Sequence, residues 1–340
     1  MIDDRLDGTL KVVSGYPPIG ELLSALPPVV LEAAELERRV AELWELLHAA
    51  RYKELDLDLR RVITQLETSS RCPHPHDDPR VLDRLRAEAY QVAAAMLAAL
   101  DEHDAAWVAN DRALQASVRH DDILGIAAAH FRLGHTFLRA GRLDQAEHVT
   151  TQAIEGLMTW VAPPDAPPEA LSLYGAMHLV RAMVAARRPD PGSARWNLSI
   201  AKKYADRLGE DRDDFGTEFG PTNVEVHWVA AHVELGEPRE ALRVAAETDV
   251  SALSPERQAR FLIDVARAHT LRQEVDGAVA ALSRAEDIAP ELLYSHPLTL
   301  ATTSDLVEQT GAYPPLELRR LHHHLVYHHP FHRPPPPKPS

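Results

Sequence analysis

Between Val265 and Pro290, small and apolar residues recur in the order of a tetratricopeptide repeat. Val265 and Ala266 come first, and His269 follows three residues after Ala266. Ala278 stands twelve after Ala266, and Leu282, Ala285 and Pro290 complete the unit. Such a unit is a pair of antiparallel helices whose small residues let the two backbones approach, and the closing proline cannot continue a helix. One pair cannot bury its apolar face alone, so one unit predicts several.

Residues in the role of Ala278, opening the second helix of a pair, mark the other copies. Leu133-Gly134, Phe137, Gly141, Ala146 and Ala153 repeat the order upstream, as do Ala94, Leu97, Ala106 and Ala113. Looser copies run Ala182, Ala185, Ala194, Leu198, Ala201 and Val229, Leu235-Gly236, Ala241, Ala245. The weakest is Leu43, Leu46, Leu55, Leu59, Val62. The markers Leu55, Ala106, Ala146, Ala194, Ala241 and Ala278 are separated by 51, 40, 48, 47 and 37 residues. A regular tetratricopeptide array repeats every ~34 residues, so these units have diverged. The pattern predicts an all-α, tetratricopeptide-type solenoid of about six helix pairs over residues 29–310. Residues 1–28, broken by Gly8, Gly15, Gly20 and four prolines, read as an irregular leader with one short helix. Residues 311–340 are rich in Pro and His and are expected to be an extended or disordered tail.

Charge narrows the function classes. The chain has 51 acidic against 36 basic residues and a formal net charge of −15, which argues against general affinity for nucleic acid. Arg187-Arg188 and Lys202-Lys203 are local basic groups that read as solvated helix faces rather than a phosphate patch. No apolar run is long enough to span a membrane, and the start Met1-Ile2-Asp3-Asp4 lacks the basic and apolar regions of a signal peptide. The expected compartment is therefore the cytoplasm. Cys72 is the single cysteine, so no intramolecular disulfide can form. Cys72-Pro-His74-Pro-His76-Asp77-Asp78 collects metal-ligand residue types, but its spacing lacks the second ligand pair of a zinc site and reads as a surface loop. There is no nucleophile elbow, phosphate loop or paired-histidine zinc motif. The chain is expected to be non-catalytic, without a cofactor or resident metal.

The candidate binding residues come from the repeat geometry. In such an array the first helix of each pair lines the concave surface, where ligands bind. The run Asn223-Val-Glu-Val-His227-Trp228 follows a Gly-Pro turn and sets an amide and an imidazole four residues apart on one helical face. Asn223, His227 and Trp228 are therefore candidate ligand contacts, and Trp196 is a fourth among tryptophans that otherwise wedge between helices. The occupant expected is a peptide, a small molecule or a protein partner, and the exposed ends of an array permit a homodimer.

Several segments resemble a known family. Phe219-Gly-Pro-Thr-Asn-Val224, Val233-Glu-Leu-Gly236, Ser254-Pro-Glu-Arg257 and Arg260-Phe-Leu-Ile-Asp-Val-Ala-Arg-Ala268 are similar to the C-terminal region of actinobacterial Xre-type helix-turn-helix transcriptional regulators. Ala285-Glu-Asp-Ile-Ala-Pro290 and His296-Pro297-Leu298 extend the likeness, which spans about residues 30–310 and is densest over 213–300. The resemblance implies a tetratricopeptide-like sensor acting in transcriptional control. It departs at the N-terminus, where the family carries a DNA-binding domain and residues 1–28 offer only Arg5 and Lys11 as basic groups. The expectation is a sensor or adaptor that does not bind DNA itself. The alternative is a DNA-binding regulator acting through an unrecognised leader or a partner chain.

Overall fold

Six successive turns of this chain repeat one hydrogen bond. The computed structural model describes residues 7–15, 31–73 and 77–327. In it, the N–H groups of Arg51, Glu102, Arg142, Asp190, Glu237 and Glu274 each donate to the carbonyl five residues earlier, at 2.8–3.0 Å. The residue just before each donor leaves the helix. Ala50, Asp101, Gly141, Gly236 and Gln273 do so with φ between 53° and 71°, and Pro189 holds the equivalent place in the fourth turn. This closure satisfies the last carbonyls of one helix and reverses the chain into the next.

The helices so joined are α2 (Ala33–His48) with α3 (Tyr52–Arg71), α4 (Pro79–Ala99) with α5 (His103–Val118), and α6 (Ile123–Arg139) with α7 (Leu143–Val161). They continue as α8 (Pro168–Arg187) with α9 (Pro191–Leu208), α10 (Pro221–Glu234) with α11 (Pro238–Glu247), and α12 (Pro255–Leu271) with α13 (Val275–Ile288). Each marker residue read from the sequence is the fourth residue of its second helix, and all six are fully buried. The described residues contain 16 helices and no β-strand. Eight of the 16 begin with proline, so much of the proline content starts helices rather than breaking them. Asp78, Asp122, Asp190 and Ser254 cap helix starts with side-chain oxygens that accept from backbone N–H groups.

Each first helix packs on the first helix of the next pair, giving an inner layer of α2, α4, α6, α8, α10 and α12 and an outer layer of their partners. The array closes on itself, because α12 also touches α2. One apolar core runs through pairs one and two and on into pairs five and six, while pairs three and four centre on a second. Lys53 at the start of α3 donates its N–H to Glu291 Oε2 at 3.0 Å, tying the first pair to α14 (Pro290–Ser295).

The connection 209–220 enters the inner side of this ring. The Arg132 guanidinium on α6 donates to the carbonyl oxygens of Phe215 and Gly216, at 2.9 and 2.6 Å. The Phe219 ring is fully buried against Gly175 of α8, where a Cβ would lie 2.0 Å from its Cζ. Gly216 (φ 64°) lies under the Trp44 ring of α2, leaving 2.1 Å for a Cβ. Glu218 pairs with Arg257 of α12 at 3.2 Å. One connection thus braces four inner helices.

Both ends depart from the simplest reading of composition. Within the leader, α1 (Asp7–Ser14) packs on the outer layer, where Thr9 Oγ1 donates to the Asp56 carbonyl at 3.2 Å. Residues 311–340 were expected to be extended or disordered, yet α16 (Leu316–Tyr327) is a helix packed on α15 (Pro297–Thr310). Leu318, Leu321 and Leu325 form its buried stripe, a helical spacing that the surrounding prolines and histidines mask. Residues 328–340 lie outside the described residues, as do His74 and His76; Cys72 is exposed. Among the described residues no helix is long and apolar enough to cross a membrane, and no cluster of His, Cys, Asp and Glu is arranged to hold a metal ion.

Gln273 is exposed and takes the left-handed turn conformation without being glycine. Gln273→Gly is expected to stabilise the fold by about 0.5–1 kcal/mol, the steric relief exceeding the added chain entropy. A denaturant midpoint equal to or below that of the parent would contradict this account of the turn.

Candidate functional site

The inner layer encloses a cavity of about 380 Å³. Its wall draws on five successive pairs: Ala98 of α4, His135 and Arg139 of α6, Met183 and Arg187 of α8, Val226 and His227 of α10, and a long stripe of α12. His296, between α14 and α15, and Pro297 and Leu298, the first residues of α15, complete it. Asp101 and Pro297 are the exposed lining residues and mark the mouth. A smaller cavity of about 60 Å³ adjoins it, and His135, Arg139, Arg257 and Arg260 line both.

The α12 stripe is Arg257, Arg260, Asp264 and Arg267, spaced by three, four and three residues so that all face inward. Most of this charge is answered within the protein. Arg267 pairs with Asp264 at 2.8 Å and with Glu234 at 3.1 Å, and Arg187 stands 3.9 Å from Glu234. Arg260 pairs with Glu256, and Arg257 with Glu218 at 3.2 Å. Arg139 is different. Among the described residues it has no hydrogen bond or ion pair, and it is partly buried on the lining of both cavities. Burial, followed by repulsion from Arg260, pulls its pKa down to about 9.

The electrostatics of the lining follow from these neighbours. Burial works to raise the Glu256 pKa, but Arg260, Arg257 and Arg139 override it and hold the group at about 2. Three histidines go the other way. His135, His227 and His296 are each pushed below the ordinary 6.5, first by burial and then by the nearby arginines, with His227 at about 4. His227 Nδ1 donates to the Asn223 carbonyl at 2.8 Å, which leaves its Nε2 as an acceptor. His296 Nδ1 is buried without a hydrogen-bond partner.

The four residues singled out in the sequence go to different places. His227 lines the cavity. Asn223, one turn earlier, is buried with its Oδ1 unpartnered, and it does not line the cavity. Trp228 packs between the two cores, its ring 5.6 Å from that of His232. Trp196 stands on α9 in the outer layer, 57 % exposed, its ring edge to face with His178 at 5.8 Å. Only His227 among them therefore shares the site with the arginines. Arg187, expected on a solvated face with Arg188, lines the cavity instead; Arg188 pairs with Glu147 and Asp144 on the outer layer. The two diverge because α8 is buried nearly all round, leaving the last turn to split its cations between inside and outside. The inward spacing of Arg257, Arg260, Asp264 and Arg267 was available as a signal on a first helix. Arg139 carried none beyond its place in a last turn.

Two measurements bear on this site. The buried histidines are neutral in the folded state and protonate in the unfolded chain below about pH 6.5, so the unfolded state binds more protons there. Stability is therefore expected to be fully present above pH 6.5 and to fall as pH drops from 6.5 toward 4, by up to ~1.4 kcal/mol per unit for each histidine. Denaturant unfolding in that range would show the slope, and His227→Asn should reduce it. Arg139 is buried without a hydrogen bond or ion pair of its own, and its attraction to Glu256 is shared with Arg260 and Arg257, so Arg139→Met is expected to cost no stability in the ligand-free protein. A clear loss of stability would mean that the guanidinium is answered in the folded protein. In the wider comparison, no protein-family model matches this chain and no curated protein matches it.

Proposed function

We propose that this chain is a non-catalytic regulatory sensor, built as a tetratricopeptide-type array, that binds a small molecule in the 380 Å³ cavity at its centre. The observation that carries this reading is the origin of the wall: pairs two to six each contribute inward side chains to one cavity. The volume falls within the ~300–1,000 Å³ of small-molecule sites. A ligand touching five pairs at once would favour one curvature of the array over others and shift its population accordingly. Of the occupants considered for the concave side, a small molecule fits best. The 209–220 connection and the contact of α12 with α2 occupy the path an extended peptide or a partner helix would need. A role in transcriptional control, in the cytoplasm, rests on the resemblance of the α10–α12 segments to actinobacterial regulators. Those segments supply Glu234, Arg257, Arg260 and Arg267 to the wall, which is why sensing and the resemblance are joined in one proposal.

Native mass spectrometry of the protein purified without denaturant from its own host tests this. The expected result is an added mass of metabolite size at one per chain. A folded protein with no added mass, or one that carries only a second polypeptide, would overturn the small-molecule reading.

A further inference from the structure

The lining of the central cavity is chemically mixed. Arg139, Arg257 and Arg260 reach it from α6 and α12, with the unpartnered Nδ1 of His296 on the same lining. Met183, Val226, Ala230 and Ile263 add apolar, largely buried surface beside the mutually paired Arg267, Asp264 and Glu234. The counter-charges near these arginines are Glu256, Glu218 and Asp264: Glu256 pairs with Arg260 and attracts Arg139 as well, Glu218 pairs with Arg257, and Asp264 with Arg267. Arg139 lines the cavity and, among the described residues, makes no direct hydrogen bond or ion pair of its own.

An uncompensated guanidinium in a low-dielectric site is costly unless a ligand answers it. The planar fork of arginine matches a carboxylate or phosphate, and charge-assisted bonds of this kind are the strong ones. Neutral histidines beside it add hydrogen-bonding capacity without adding charge.

We propose that the cavity recognises an organic anion, its carboxylate or phosphate docked on Arg139 between α6 and α12 and its apolar body laid on Met183, Val226, Ala230 and Ile263. This rests on the small-molecule reading above and specifies the ligand class. The acid group would join the third helix pair to the sixth, the two that present like charges to each other across the cavity. Binding would set a second negative group, beside Glu256, between Arg139 and Arg260 and so offset their repulsion.

The test is calorimetric titration of the whole chain with three probes of similar body: 4-phenylbutyrate, 2-phenylethyl phosphate and the neutral 4-phenylbutanamide. At least one of the two acids is expected to bind about tenfold or more tighter than the amide. The stronger acid identifies the head group. Arg139→Met should abolish that preference, bringing the acids to the affinity of the amide, while Arg139→Lys, which keeps the charge but not the fork, should retain part of it. Melting curves of both variants establish that they are folded. Equal affinity for acids and amide, or an acid preference that survives Arg139→Met, would overturn the anion assignment while the small-molecule reading stands. Binding of none of the three would also overturn it; the native mass spectrum then decides the broader reading independently.

Discussion

A left-handed backbone position five residues before each buried marker sets the geometry of all six helix pairs. The turn bond that follows it fixes where the second helix begins, and the marker, leucine once and alanine five times, fixes how closely that helix can lie on the first. With both in place, the pairs can differ in almost everything else. The first helices range from 14 to 21 residues, and the connections between pairs include the long 209–220 segment. Marker separations are therefore irregular while the local phase within each pair is constant. Inner helices of unequal length, packed in succession, can then bend far enough for the sixth pair to reach the first.

That closure creates the setting for the central charges. Arg257, Arg260 and Arg267 on α12 would be ordinary solvated arginines on an open surface. Inside the ring they are desolvated, and they pair with Glu256 and Asp264 of the same helix and with Glu234 and Glu218 from other segments. Such a network is not an economical source of stability, since burying paired charges returns little beyond the cost of removing them from water. Its value lies in orientation. Each guanidinium that is paired on one side is fixed in direction, and Arg139, paired on none, presents its donors to the cavity. The depressed histidines belong to the same field, because the arginines that attract an anion also resist a further proton.

The pairs were legible in the sequence because they depend on local spacing. Leu55, Ala106, Ala146, Ala194, Ala241 and Ala278 could be aligned by eye, and each proved to occupy the same place in its helix. His227 was legible for the same reason, as part of an i, i+4 stripe on a first helix. Arg139 and Arg187 were not, because their place on the lining depends on how separate helix pairs come together rather than on local spacing. The docking of 209–220 was hidden for a related reason: Arg132 binds two carbonyl oxygens, and a carbonyl has no signature in composition or period. In α16 the local signal was present in Leu318, Leu321 and Leu325, but a Pro- and His-rich context outweighed it. Trp196 shows the converse, a large aromatic on the outer layer whose sequence position gave no indication of which layer it would join.

The shared core of the first two and last two pairs has a consequence for how the chain acquires its structure. In an open array each repeat depends on its neighbours, so folding can start anywhere and spread along one dimension. Here the last step is different in kind. Individual pairs can assemble from local contacts as they are synthesised, but α2 gains its contact with α12 only after more than two hundred further residues are in place. Loop-closure entropy of that size falls on a single late event, and non-local contacts of this sort slow the final phase. Until then the apolar inner faces of the first pairs lack their partners, which makes the growing chain most prone to aggregation just before the ring is complete.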